Sequence, residues 1–162
     1  MNFVLEPLQA QYNRERANEA FYLAMAAAFE QMNLTGFAGW ARRAADEEHG
    51  HAQKFFDYIA DLNAMPRVDA LPVPALPAVG DVLSLFVAAR TAEIANSDAL
   101  VTLAQQALLA TDLTTHAFVQ PFLLEQVQSV RELDELTTKL ALATGNGAAL
   151  LLLEHELGEG AQ

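Results

Sequence analysis

The chain has 162 residues, with 9 basic and 21 acidic side chains for a net charge of −12, 52% hydrophobic residues and no cysteine. That length and apolar content imply a folded core, and the acidity argues against nucleic acid or an anionic membrane as a partner, since both demand a basic face. The missing cysteines exclude disulfide scaffolds, thiolate zinc sites, iron–sulfur clusters and thiol nucleophiles.

Met1 to Pro7 carries no basic or apolar leader pattern, and no segment approaches the roughly 18 apolar residues of a membrane span, so a soluble cytoplasmic protein is expected. The first helical block runs from about Pro7 to Asn33, with Phe21, Met25, Ala28, Phe29 and Met32 at three- and four-residue spacing. Asn33 to Gly36 reads as a turn. The second block covers about 37–64, with Trp40, Ala44, Phe55, Tyr58, Ile59 and Leu62 apolar. Four prolines between Met65 and Gly80 forbid a regular helix and favour an extended path. Asp81 is a plausible N-cap for a third block, about 81–110, and a break at Thr111-Asp112 precedes a fourth, about 113–143. A short fifth helix is expected over about 148–157, and no β pattern is present.

These blocks predict an all-α single domain over 1–162. Four helices of matched length suit a four-helix bundle. Two short turns make antiparallel hairpins, and the proline-rich connection can reach about 50 Å at about 3.1–3.3 Å per residue. It can therefore travel the length of the bundle, which makes one long crossover between helices two and three, a ferritin-like arrangement.

Glu48 and His51 stand at i and i+3 on one helix face, a metal-ligand spacing of carboxylate-bridged bundles. The midpoints of the four blocks fall near Glu19, Glu48 with His51, Glu93, and Glu125-Gln126. Unpaired buried carboxylates are costly, and a shared cation relieves that cost. Carboxylate with imidazole suits iron, manganese or zinc. The alternative is that these groups lie on the surface or pair with arginines such as Arg42, Arg43, Arg90 and Arg131.

Asn18-Glu19, Glu47-Glu48-His49-Gly50-His51-Ala52, Glu93, and Glu125 to Leu133 together resemble a ferritin, of the non-haem bacterial type, over nearly the whole chain. The resemblance implies Glu19 and His51 as ligands of a first iron site, Glu48 as the bridging carboxylate, Glu93 as the second-site ligand and Gln126 as a nearby amide. Glu47 and Glu125 match acidic positions where iron binds in transit. It further implies ferroxidase activity with oxygen or peroxide, ferric mineral storage, and a homo-oligomeric cage of 24 chains. His49 occupies the haem-methionine position of the bacterioferritins, so no haem is expected. Ferritins usually carry a tyrosine seven residues after the helix-one glutamate; counted from Glu19 that residue is Ala26, with Tyr22 on a similar face. Thr115 to Gln120 lacks the acids that line the three-fold pore of eukaryotic-type ferritins, and Pro121 interrupts helix four. A rubrerythrin-like di-metal oxidase or peroxidase without a cage, and a structural cage without ferroxidase activity, remain as alternatives.

Overall fold

A computed structural model describes residues 4–159. The first three and last three residues of the expected 1–162 domain, and the Met1 to Phe3 part of the leader reading, lie outside the described residues. Five helices and no strand are present among the described residues: α1 (Leu5–Gln31), α2 (Thr35–Asp61), α3 (Val82–Leu109), α4 (Leu113–Leu142) and α5 (Gly147–Glu159). The first four form a bundle of two antiparallel hairpins, α1–α2 and α3–α4, joined by an extended crossover.

Local chemistry sets the helix ends. Pro7 lies in the first turn of α1, where a missing N–H costs nothing. Asn33 and Asn63 take left-handed backbone (φ 57 for both) and end α1 and α2, which stops α2 at Asp61, short of the expected Ala64. Asp81 and Asp112 cap α3 and α4, each accepting a hydrogen bond from the backbone N–H three residues on, at 3.0 Å. Pro121 does not break α4, because both it and Ala117, whose carbonyl loses its helical partner, face solvent.

The crossover is strapped to α1. Gln9 donates to the Met65 carbonyl and accepts from the Arg67 N–H, at 2.8 and 2.7 Å. Four residues on, Asn13 does the same to the Arg67 carbonyl and the Asp69 N–H, at 2.8 and 3.0 Å. The registers agree: four helical residues rise about 6 Å, and two extended residues advance about the same distance. The crossover thus runs parallel to α1 and delivers α3 to the end of the bundle where α2 began.

Two hydrophobic clusters fill the core, one at each end. One gathers Met25, Phe29, Phe37, Trp40, Phe86 and Leu133. The other gathers Leu8, Phe55, Ile59, Leu100, Leu103 and Phe122. The fifth helix closes the first cluster with Leu150, Leu153 and Leu157, while Leu151 and Leu152 stay exposed. It reaches α2 at Gly36, where a Cβ would lie 2.1 Å from the Glu154 carbonyl oxygen, so only glycine permits the approach. Between the clusters, at mid-bundle, the core turns polar: Gln11, Glu15, Glu48, His51, Glu93, Asn96 and Gln126 are all buried there.

Candidate metal centre

Burying this many polar groups demands a reason, because each loses water. Glu15 is fully buried, and Glu48 and His51 retain only 4% and 6% of their exposure, so solvent does not supply the missing partners. The Glu15 and Glu48 carboxylates approach His51 Nδ1 at 3.9 and 4.0 Å. One ligand atom from each of the three lies within 4.8 Å of the other two. On the far side of the ring, His51 Nε2 stands 2.8 Å from Glu125 Oε2. A carboxylate there fixes the proton on Nε2 and leaves the Nδ1 lone pair facing Glu15 and Glu48. Glu47, exposed on α2, joins His51 and Glu125 in a second group of the same compactness.

Glu93 forms the opposite wall. Its carboxylate accepts hydrogen bonds from the Tyr22 hydroxyl and from Gln126 Nε2, which also donates to the Glu93 carbonyl at 3.0 Å. Glu48 and Glu93 line one cavity of roughly 290 Å³ with Tyr22 and Glu47.

The electrostatics of the pocket are dominated by buried acids without basic partners. Glu48 Oε2 is buried without any hydrogen-bond partner, and so is Asn18 Nδ2. No arginine or lysine reaches Glu15, Glu48 or Glu93 within ion-pair distance among the described residues, so the arginine pairing weighed for Glu48 and Glu93 is not what the structure shows. Burial, and then the Glu15 carboxylate beside it, push the Glu48 carboxyl up to about 12. Burial likewise raises Glu93, against the opposing pull of its Tyr22 and Gln126 donors. Burial and Glu93 raise the Tyr22 hydroxyl well above its ordinary value, so it stays a neutral donor. A Glu48 carboxyl pushed up beside a second carboxylate, an oxygen without a hydrogen-bond partner and an imidazole nitrogen are what one or two cations would resolve. The donor set fits iron, manganese or zinc.

The structure brings Glu48, His51, Glu93 and Gln126 together, with Glu125 behind the imidazole and Glu47 at the rim. It does not bring Glu19. That side chain is half-buried, and its carboxylate lies 3.2 Å from Nδ1 of the largely exposed His49. Glu15 occupies the place instead. The inward seam of α1 runs Gln11, Glu15, Asn18, Tyr22, Met25, Phe29, and Glu19 stands one residue, about 100°, past it. A signal for Glu15 existed in the sequence: Tyr22 lies seven residues after it, the spacing that Ala26 fails to supply for Glu19.

Comparison with known proteins gives concordant results. The ferritin-like domain family matches residues 5–143. The bacterial non-heme ferritin of Escherichia coli O6:H1 is 29% identical over 154 residues, covering 95% of this chain and 93% of its own. That of Staphylococcus aureus strain USA300 is 30% identical over 155 residues, covering 96% and 93%. Among solved structures, the open pore ferritin of Archaeoglobus fulgidus superposes with a TM-score of 0.93 at 28% identity, covering 98% of this chain and 97% of its own. An engineered closed form of the A. fulgidus ferritin superposes equally well, at 0.93 and 29% identity.

Proposed function

The chain belongs to the ferritin family, and from that premise we propose that it oxidises Fe²⁺ at the mid-bundle site and stores the iron as ferric mineral inside a homo-oligomeric cage, in the cytoplasm. The observation that carries this reading is the buried convergence of Glu15, Glu48 and His51 with an unpartnered carboxylate oxygen and no basic side chain.

Iron enters this scheme as substrate. Glu15, Glu48 and the Nδ1 of His51 bind one Fe²⁺, and Glu48 and Glu93 bind a second. Glu48 is the shared carboxylate, which fits its position between Glu15 and Glu93. Cation binding displaces the Glu48 proton, because the neutral acid cannot serve both ions. One electron from each ion and two protons from water reduce oxygen to hydrogen peroxide, or peroxide to water, and the two ferric ions leave to hydrolyse into mineral. Three carboxylates carry three negative charges against the four positive charges of two Fe²⁺ ions, so the pocket is near neutral when loaded. His51 is held by Glu125, Glu93 by Tyr22 and Gln126, and both are therefore oriented before iron arrives. Glu47, which lines the cavity together with Glu132, and Glu125, grouped with Glu47 and His51, offer positions for iron in transit.

Exposed apolar side chains support assembly. Leu109, Leu142, Leu124, Val127, Leu151 and Leu152 are all more than half exposed in the single chain, a pattern that marks association surfaces. A cage of 24 chains is the expected form.

The test is aerobic oxidation of Fe²⁺ followed by absorbance, with native mass on the same sample. Wild type oxidises iron at a rate that Glu48→Ala lowers at least about 100-fold, since removal of the shared carboxylate costs both positions. Equal rates in the two proteins would refute the reading.

A further inference from the structure

Glu15 belongs to a closed ring of three side chains whose other two members, Gln11 and Asn96, have no part in the metal binding described above. Gln11, Glu15 and Asn96 are 2%, 0% and 1% exposed, so water satisfies none of them. Gln11 Nε2 donates to Glu15 Oε1 at 2.5 Å and to Asn96 Oδ1 at 2.7 Å. Asn96 Nδ2 completes the ring by donating to Glu15 Oε2 at 3.3 Å. Gln11 sits one turn before Glu15 on α1, and Asn96 one turn after Glu93 on α3. One turn farther from the metal position the same two helices carry Leu8 and Leu100, so the bundle packs aliphatic side chains there without amides. Two buried carboxamides are expensive wherever an aliphatic residue would pack.

We propose that Gln11 and Asn96 are positioning residues: they hold the Glu15 carboxylate aimed at His51 and Glu48 and thereby set the affinity of the metal position beside His51, leaving the position at Glu93 untouched. The inference rests on the two-ion reading above. Its chemistry follows from the donor type. An arginine in this place would orient Glu15 but neutralise it and compete with the incoming cation. A carboxamide donates N–H groups without a formal charge, so each Glu15 oxygen is anchored by one bond and keeps acceptor capacity for a metal. The ring also ties α1 to α3 where an open groove lined by Gln11, Asp98 and Leu103 otherwise separates them. Glu15 therefore cannot relax outward into that groove. Glu93 has its own holders, Tyr22 and Gln126, which is why the two metal positions are separable by mutation.

The experiment is calorimetric titration of the metal-free full-length protein with Zn²⁺, a redox-inert probe, alongside Co²⁺ absorption spectra. Wild type binds two ions per chain. Asn96→Leu, of similar volume but without donor or acceptor, weakens one of the two events about 10–100-fold, the range for lost outer-shell support, and leaves the other unchanged. The Co²⁺ bands of the weakened position change in shape as well as in midpoint. Gln11→Leu, at the edge of the open groove, gives the same pattern and carries the test if Asn96→Leu does not fold. Variants that bind both ions as wild type does, with only a lowered melting temperature, would overturn the proposal and leave the two-ion centre standing. Equal weakening of both events would overturn it too. A wild type that binds no ion pair would instead remove the functional reading on which it rests.

Discussion

The two walls of the mid-bundle pocket treat the same side chain in opposite ways. Glu93 is buried and already satisfied, its carboxylate taking a phenol and an amide donor. Glu48 is buried to the same degree, its Oε2 makes no hydrogen bond, and Glu15, Asn18 and His51 are its polar neighbours. The difference teaches where the site stores its cost. The Glu93 wall is built to keep a ligand in place whether or not a cation is bound, whereas the protein supplies Glu48 with no comparable pair of donors. Buried unsatisfied groups are rare in native proteins, and each calls for an explanation; here a shared cation supplies it.

The largest effect should come from finishing Glu48 artificially. Glu48→Gln removes the titrating acid while keeping its shape. The variant no longer takes up a proton on folding at pH 7, so without metal it melts higher than wild type, while its Zn²⁺ binding disappears. The pH dependence has a definite sign. The folded carboxyl titrates near 12 against an ordinary value of 4.5. Its stability contribution is complete below about pH 4.5 and drains away as pH rises toward the folded value. Melting temperatures of the metal-free wild type should therefore fall between pH 5 and pH 9 more steeply than those of Glu48→Gln, all measured in the presence of chelator. Parallel slopes would erase the contrast between the walls.

A second effect separates neighbours on α1. Glu15→Gln should weaken Zn²⁺ binding at least about tenfold, while Glu19→Gln changes it less than about twofold, by the same calorimetry. The smallest effect belongs to the finished wall. Tyr22→Phe removes one donor from Glu93 and leaves Gln126, so Zn²⁺ affinity at that position should drop only a few-fold, in line with about 1 kcal/mol for one hydrogen bond. A drop as large as that of Glu15→Gln would mean that the Glu93 wall is not held redundantly.

Much of this was legible in the chain. Helix punctuation by Asp81, Asp112 and the crossover prolines is local chemistry, and the matched block lengths left one economical topology. Glu48 and His51 could be read because both lie on one helix, where i and i+3 spacing is a statement about direction as well as distance. Glu15 could not be read in that way. The seam of α1 through the belt is polar, Gln11-Glu15-Asn18, so hydrophobic periodicity gave no phase for the helix at the level where phase mattered. Estimating depth from the helix midpoint then selected Glu19, one residue off the seam. Gln11 and Asn96 were missed for a related reason: a buried amide is invisible in sequence until the group it holds is known. Pro121 misled in the other direction, since its cost depends on whether its face meets solvent, and here it does.

The proposed centre requires a pair of ions flanking Glu48. The direct measurement is anomalous diffraction at the zinc or iron edge from crystals soaked in Zn²⁺ or, without oxygen, in Fe²⁺. Two peaks are predicted, one among Glu15, Glu48 and His51 and one between Glu48 and Glu93. Peaks only at Glu47 and Glu125 on the rim, or beside Glu19 and His49, with nothing at Glu48, would contradict it.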